Sequence, residues 1–279
     1  MWTLPSSLAL VLALCSQDPA LRLPVLSGLS PVGEERIVTL ELAWDGRLSH
    51  DSDALAETGR GRLNRVDRER VRARLMRLAE DLPKQEKAPA VGPSFVFADA
   101  ALRLEADAFA PAERLLELMA LSASAGVRIP RFEFAAAVVD EQQPRTHAPR
   151  GTAALTHVLK YALPVDSGVN LGAGEARPRV AVRLEVVRAG ERVDAQGEPL
   201  ADADAPFVYD SDRQLRFTLG ERVYEEEAAF AAQAERLRPF ASEARATIEI
   251  GPGITCGELL RTYALLHDVG LGRIGFLSI

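Results

Sequence analysis

The sequence is most constrained by an internal similarity at a fixed offset of 144 residues. Segment 102–127 (LRLEADAFAPAERLLELMALSASAGV) aligns without gaps on segment 246–271 (ATIEIGPGITCGELLRTYALLHDVGL), and six of the aligned pairs are identical. Each segment begins with the alternation of a strand, turns, continues as a helix with a Leu-Leu pair and stops at a glycine. A shorter match, LPVLSG at 23–28 and LPVDSG at 163–168, precedes each segment. Because internal repetition decides architecture, we expect one structural unit to be built twice.

The helix predicted in each copy carries a set of side chains at the i, i+3, i+4, i+7 spacing of a buried face. That face consists of Leu115, Leu118, Met119 and Ser122 in the first copy and of Leu259, Thr262, Tyr263 and Leu266 in the second. A glycine follows each helix, Gly126 in one copy and Gly270 in the other. We expect both glycines in the left-handed conformation that ends a helix, where a side chain would clash.

Further elements lie ahead of the repeated segment in each copy. The first copy has a strand at 37–43, a hairpin turn at Asp45-Gly46, a loop at 49–65, an amphipathic helix at 67–82 capped by Asp67, and a loop at 84–93. The second copy has a strand at 180–187, a loop at 194–206, a strand at 215–219 with a turn at Gly220-Glu221, and a helix at about 225–237. Succession of strand, helix and strand implies right-handed crossovers, with helices packed on a sheet.

These patterns predict an α+β protein of two tandem two-layer domains, each a small mixed sheet with two helices packed on it. The domains occupy residues 20–140 and 151–279. The segment between them, 140–150 (DEQQPRTHAPR), is rich in charge and proline and indicates a linker.

The first 17 residues carry no charged side chain, and the apolar run from Leu8 to Cys15 suits the core of an export signal. We interpret residues 1–19 as an export signal or a short membrane anchor. The basic residues that usually begin a signal are missing, so two alternatives stay open: Met1 lies inside a longer membrane helix, or the segment is an apolar strand or helix of a cytosolic protein. Lipidation of Cys15 is a further option, although Leu14 departs from the small residue that such a site needs.

Composition excludes several functional classes. With 33 basic and 40 acidic side chains, the net charge of −7 argues against a nucleic-acid-binding protein, which would show a basic domain or stripe. Two cysteines, Cys15 and Cys256, provide neither a disulfide framework nor a cysteine zinc site.

Candidate catalytic and ligand-binding residues are few. Cys256 lies in the first turn of a predicted helix, where the pKa of a thiol can fall. The acidic loop His50–Asp53 could bind a divalent ion weakly. The other groups considered are the histidines His147, His157 and His267, the acidic residues Asp202, Asp204, Asp210 and Asp212, and the glycines Gly168, Gly172 and Gly174. No pair of histidines has the i, i+4 spacing of a helical metal site, and the glycines are not followed by a phosphate-binding Lys-Ser/Thr. We therefore predict no catalytic, cofactor-binding or metal-binding residue, and expect that the protein is not an enzyme.

Each copy resembles the periplasmic domain of the ExbD/TolR biopolymer-transport family. The first copy supplies the family's Leu-Pro pair at Leu23-Pro24, its acidic-Gly turn at Asp45-Gly46, its Ala-Asp strand end at Ala106-Asp107 and its Ala-Gly-aliphatic motif at Ala125-Gly126-Val127. The second copy supplies Leu163-Pro164, Gly257-Glu258-Leu259-Leu260, Val269-Gly270-Leu271 and Gly272-Arg273-Ile274-Gly275-Phe276. Ile250-Gly251 departs from the family at the Ala-Asp position.

The resemblance implies a component of an envelope transport system driven by the proton-motive force, located in the periplasm or cell envelope. It implies contacts with envelope proteins, including a polytopic proton-channel partner, and with peptidoglycan, and it implies dimerisation. In that family a membrane aspartate carries the proton, but this sequence has no Asp or Glu before Asp18, so we expect no proton-relay residue here. Two alternatives remain: a secreted or periplasmic enzyme that uses Cys256 or an acidic loop, and a purely structural scaffold.

Overall fold

The structure is a computed structural model of the chain. It describes residues 22, 24–26, 37–57, 59, 61–87, 95–124, 126–129, 131–134, 137–138, 157–158, 179–194, 196–202, 205–271 and 274–279. The N-terminal segment 1–19, the linker 140–150, the LPVDSG motif at 163–168 and the glycine-rich stretch 168–174 lie outside these residues.

The described part of the chain is a mixed α/β protein with several small sheets and four α-helices. Its first elements are the strands β1 (Val25–Leu26), β2 (Ile37–Leu42), β3 (Leu48–His50) and β4 (Asp53–Ala56), the helix α1 (Arg65–Glu80), the strands β5 (Lys84–Lys87), β6 (Phe95–Ala98) and β7 (Ala101–Ala106), the helix α2 (Ala112–Ala123), and the strands β8 (Arg131–Phe134), β9 (Ala137–Val138) and β10 (His157–Val158).

The remaining elements follow from residue 179 onward. They are the strands β11 (Arg179–Arg188), β12 (Arg192–Val193), β13 (Val208–Tyr209), β14 (Gln214–Leu219) and β15 (Arg222–Tyr224), the helix α3 (Glu227–Ala234), a 3-10 helix (Glu235–Phe240), the strand β16 (Arg245–Ile250), the helix α4 (Cys256–Asp268) and the strand β17 (Ile274–Ser278).

Two larger sheets organise these strands. A six-stranded sheet has the order β10-β8-β7-β2-β3-β4, and a five-stranded sheet has the order β17-β16-β11-β14-β15. In the first, β2 is parallel to β7, β7 is parallel to β8, and β3 and β4 add antiparallel strands. In the second, β11 is parallel to β16, β16 is parallel to β17, and β14 and β15 add antiparallel strands. Five strands of each sheet therefore have the same order and the same relative directions.

Three two-stranded sheets complete the architecture: β1-β9, β5-β6 and β12-β13. Strand β10 comes from beyond the predicted linker, yet it pairs with β8, His157 lying opposite Phe132.

The core is built from one side of each large sheet and from the faces of the helices. Alternate residues of the strands point inward, as Leu40 and Leu42 do on β2 and Val182 and Leu184 do on β11, all of them buried. The helix faces predicted from the sequence are confirmed, because all eight residues of the two faces on α2 and α4 are buried. The buried apolar residues of both sheets join in one continuous cluster.

Two predicted turns are confirmed by their geometry. Gly46 (φ +85°) lies between β2 and β3, and Gly220 (φ +61°) lies between β14 and β15. Positive φ carries little steric penalty for glycine, which explains why the chain reverses there.

Four local predictions are wrong. The stretch 49–65 is not only loop, because it contains part of β3 and all of β4, joined by a turn in which Asp51 (φ 50°) and Ser52 (φ 69°) are left-handed. The stretch 84–93 begins with the strand β5. Helix α1 starts at Arg65 with Asn64 as its N-cap, whose side chain accepts from the Asp67 N–H.

The fourth error concerns the end of α2. Gly270 has the expected left-handed conformation (φ +100°), but Gly126 does not, and Arg128 (φ 59°) takes positive φ instead. The chain after α2 turns through three backbone hydrogen bonds, from Val127 and Arg128 to Ser124 O and from Ile129 to Ser122 O. The reversal therefore falls two residues later than in the second copy.

Candidate functional site at the junction of the two sheets

The N-terminal ends of α2 and α4 meet and hydrogen-bond to each other. Pro111 and Thr255 form an isolated antiparallel bridge. The Ala112 N–H donates to Ile254 O at 3.0 Å, and the Cys256 N–H donates to Ala110 O at 2.8 Å. The two donors, Ala112 and Cys256, are 144 residues apart, and so are the two acceptors, Ala110 and Ile254. The first amide of each helix is therefore hydrogen-bonded in the same way at both strand-to-helix turns.

Helix α4 is capped more completely than α2. The Thr255 hydroxyl accepts from the Glu258 N–H at 3.3 Å, and the Glu258 carboxylate accepts from the Thr255 N–H at 2.8 Å, which completes a capping box. Pro111 begins α2 without a side-chain cap. The first turn of α4 is therefore the more rigid of the two.

Asp107, which follows β7, is held by an arginine from the N-terminal side of the chain. Arg22 donates to it from Nε at 3.0 Å, from a terminal guanidinium nitrogen at 3.2 Å and from its own backbone N–H at 3.0 Å. The Asp107 carboxylate is 2% exposed. Arg22 also accepts the Ala108 N–H at its carbonyl, at 2.7 Å. A buried carboxylate with this many charged and backbone donors is fixed in place.

Glu258 forms the second buried ion pair of the junction. Arg213 donates to its two oxygens at 2.5 and 2.8 Å, and also donates to Gly253 O and Ala189 O at 2.8 and 3.0 Å. Burial is the largest single influence on Arg213 and opposes its charge, but the hydrogen bonds to Glu258 and the charges of Glu258 and Tyr209 together outweigh burial and raise the pKa of Arg213 above its ordinary value.

Between these two ion pairs lies an arm, residues 189–213, which carries β12 and β13. Phe207 of the arm contacts Trp44 edge-to-face at 5.6 Å between ring centroids and Phe109 at 5.8 Å. The arginines stack on the aromatic rings in turn: Arg22 on Phe109, Arg192 on Phe207 and Arg213 on Tyr209, at 4.7, 4.6 and 3.9 Å from the ring centroids. This arm joins the two halves of the molecule through aromatic and guanidinium contacts.

Cys256 lies at the centre of the junction, but its environment does not suit a nucleophile. The residue is fully buried, and burial together with the charges of Asp107 and Glu258 raises the pKa of its thiol well above the ordinary value. The sequence favoured a small buried residue at this position over a reactive thiol, and Cys256 is buried. Catalysis needs the thiolate, so the arrangement favours a packing role.

A separate buried ionic network lies on α2. Arg114 donates to the carbonyl oxygens of Glu57 and Gly61, at 2.9 and 3.1 Å, and to that of Gly46. Glu117, one turn further, accepts from the Leu63 N–H at 2.6 Å and from Arg68. Burial lowers the pKa of Arg114, and neighbouring carboxylates offset only part of that effect. The network fixes the segment between β4 and α1.

Three of the other sequence candidates, His50, Asp210 and His267, have partners in the structure, whereas His147 and Asp204 lie outside the described residues. His50 is buried with its Nδ1 at 3.2 Å from Arg74 and 3.0 Å from Asp51, so a guanidinium takes the place that a metal ion would need. Asp210 accepts the N–H groups of Glu191 and Asp212 within the arm. His267 is exposed in the last turn of α4 and stacks on Tyr263.

Within the part of the chain that the structure describes, no group of three His, Cys, Asp or Glu residues is arranged to hold a metal ion. Among the same residues, no helix has the length and apolarity to cross a membrane. The described surface has a shallow depression of about 210 Å³ between α1 and the β5-β6 hairpin, lined by residues that include Met76, Val96 and Arg128.

Comparison with models of known protein families finds no match for this chain, and comparison with curated proteins and with solved structures finds none either.

Sequence reasoning missed most of the junction. Arg22, Phe207 and Arg213 carry no local motif, and each finds its partner 45 or more residues away in the chain. The sequence contains one compositional signal. The aromatic residues Phe207 and Tyr209 lie within an otherwise acidic, polar stretch, which indicates that they pack against another part of the protein.

Proposed function

We propose that this chain is a non-enzymatic envelope protein built from two ExbD/TolR-like units, acting through protein–protein or peptidoglycan contacts in a transport system linked to the proton-motive force. The units are tandem two-layer domains at 20–140 and 151–279. The chain meets a polytopic proton-channel partner in the envelope.

The observation that carries this proposal is the agreement of the two large sheets. In each, the strands follow the order that the resemblance implies: a strand, a hairpin, a first helix, a strand, a second helix and a final strand parallel to the one before it. The register of the final strand differs by two residues: Leu102 pairs with Phe132, whereas Ala246, its equivalent at the 144-residue offset, pairs with Ile274. The agreement of the two halves in strand order and in strand direction is what supports a common unit.

The contact between the units supports a built-in dimer. Pro111 and Thr255, which are equivalent residues of the two copies, face each other. The two hydrogen bonds that flank them join equivalent donors to equivalent acceptors. An isologous two-fold contact has this property. A family whose soluble domain dimerises would reach the same arrangement in a single chain by duplication.

The chemistry of the junction favours binding over catalysis. Its charged side chains are paired with each other at hydrogen-bonding distance, and its thiol is buried and protonated. Groups committed to ion pairs in this way stabilise a scaffold and leave its outer surfaces for partners.

The test is site-specific photo-crosslinking of the whole chain in the envelope of its native host. A photoreactive residue at exposed Val66 on one half, or at exposed Val223 on the other, should yield a crosslink to a membrane protein with several spans. Collapse of the proton-motive force with a protonophore should change that yield several-fold. Co-sedimentation with purified peptidoglycan sacculi measures the wall contact separately.

Three outcomes divide the alternatives. Crosslinks that are insensitive to the protonophore would favour a structural scaffold over transport. Recovery of the chain in the cytosol, without envelope crosslinks from either site, would reject the envelope role. Turnover of a substrate that is abolished by Cys256→Ala in a protein that still folds would favour the enzyme alternative.

A further inference from the structure

The arm differs from the rest of the molecule in how it is held. Its buried apolar residues, Val193 (7% exposed) and Phe207 (4%), are absent from the continuous core cluster that unites the two sheets. Its strands β12 and β13 contribute two residues each, with Arg192 opposite Tyr209 and Val193 opposite Val208. A segment with few core contacts and a short ladder opens at lower free energy than the sheets it lies on.

One end of the arm is fastened by Arg213, which belongs to the arm itself and binds Glu258. Gly190 (φ +70°) lies beside it, where a Cβ would meet the side chains of Asp210 and Arg213 at 2.8 Å. The bidentate ion pair at this end is almost fully buried, 9% and 7% exposed on its two side chains.

Phe207, inside the arm, is held by a residue from outside the arm. A terminal nitrogen of Arg22 donates to Phe207 O at 2.6 Å, while the rest of the same guanidinium binds Asp107 and stacks on Phe109. One side chain therefore connects three places: the chain leading into β1, the end of β7 and the arm. Withdrawal of Arg22 removes the hydrogen bond to the arm and leaves the buried Asp107 carboxylate without its charged partner in one step.

We propose that the arm is a strap with two states, and that Arg22 couples the position of the chain entering β1 to whether the strap is closed. With Arg22 seated on Asp107, the strap lies on Trp44 and Phe109. With Arg22 displaced, the strap swings about its Arg213 end and uncovers those two rings. This device does not depend on the proposed envelope role, which can fail while the strap holds.

Hydrogen exchange of the full chain, followed by mass spectrometry, tests the strap. Arg22→Gln should speed exchange in peptides covering 189–213 by about tenfold or more, since a charged hydrogen bond is lost, with little change in peptides covering β16. Arg47→Gln is the matched control, because Arg47 also pairs with an aspartate, Asp45, beside Trp44, but its side chain is exposed and, among the described residues, hydrogen-bonds to Asp45. It should leave the arm's exchange unchanged.

Asp107→Asn distinguishes coupling from local damage. Asp107 binds Arg22 and the Phe109 N–H, so faster exchange in 189–213 is transmitted through Arg22 or through the Phe109 ring, which contacts Phe207. We expect Asp107→Asn to match Arg22→Gln, and the double variant to add little to either. Trp44 fluorescence, in a Trp2→Phe background, should shift in the same variants.

Unchanged exchange in the arm of Arg22→Gln, or of Asp107→Asn, would overturn the proposal. An equal rise in the arm and in β16 would overturn it too, because that result indicates global destabilisation rather than a strap.

Discussion

The first turns of α2 and α4 occupy equivalent places but carry opposite charges at one equivalent position, Arg114 on α2 and Glu258 on α4. Arg114 on α2 donates to three backbone carbonyls of its own half, whereas Glu258 on α4, at the equivalent position, accepts from Arg213 of the arm. Glu117 and Arg261, one turn on, are reversed in the same way. The frame of strands and helices is therefore common to the two regions, while the buried charges decide which loop each helix fastens.

The two halves also differ in the lengths of the connections between their strands. The connection between β2 and β3 is a tight turn at 43–47, whereas the connection between β11 and β14 is extended into the arm. The β5-β6 hairpin belongs to the first half. Differences are concentrated in connections, where chain can be inserted without disturbing a core, so the two halves present different surfaces on a common frame.

The largest effect should come from truncating the equivalent core residues Leu115 and Leu259, each fully buried. Leu→Ala at either site should cost about 2–5 kcal/mol, from lost transfer free energy and a cavity. Because both belong to one core cluster, chemical denaturation should show one transition that either variant shifts. Two transitions, with each variant moving only one, would mean that the halves unfold independently.

Substitution of the two left-handed glycines Gly46 and Gly220 by alanine should destabilise the protein less, and to different degrees. At Gly46 a Cβ would lie 1.9 Å from Gly59 O, whereas at Gly220 nothing lies within 4 Å. Gly220→Ala should cost about 1 kcal/mol of backbone strain, and Gly46→Ala should cost clearly more, because its neighbour is backbone and must move. Equal melting temperatures for the two variants would contradict the close approach of the Gly59 segment.

Helix capping should give an effect of about 1 kcal/mol. Thr255→Ala removes one side of the capping box at the buried junction, at a cost of about 1–2 kcal/mol. Asn64→Ala, which removes the exposed cap of α1, should cost less, because water replaces the lost hydrogen bond. Urea unfolding of the two variants measures the difference, and a larger loss for Asn64→Ala would show that Thr255 is not buried as described.

The smallest effect is a pH dependence. The folded state raises the pKa of the Cys256 thiol, so the folded protein keeps this proton more tightly than the unfolded chain does. Below the unfolded pKa of about 8.5 the stability from this group is fully present, and it is lost as pH rises above that value. In a Cys15→Ser background, stability should fall between pH 7 and pH 9.5, and Cys256→Ala should reduce that slope.

Thiol reactivity gives an independent reading of the same group. Native Cys256 should resist a disulfide reagent at pH 8 and react only on unfolding. Rapid modification of the folded protein would contradict the burial of the junction.

Sequence patterns could predict the repeated segments because their signals are local. The buried face of α4 follows from the spacing of Leu259, Tyr263 and Leu266, and the hairpin at Gly46 follows from its Asp-Gly pair. The strands β3 and β4 were not predicted because they are short, and they form through pairing of β3 with β2 and of β4 with β3. The contacts of the junction were almost entirely unpredicted. Arg22 and Phe207 are 185 residues apart in the chain, and the sequence around either residue does not indicate its partner.

Residue-resolved amide exchange at the junction tests the central claim, that one unit is built twice and joined through equivalent residues. The amides of Ala112 and Cys256, which donate across the junction to Ile254 O and Ala110 O, should be protected to a similar degree and should lose protection together under mild denaturant. Fast exchange at either amide, or protection of one without the other, would contradict the account.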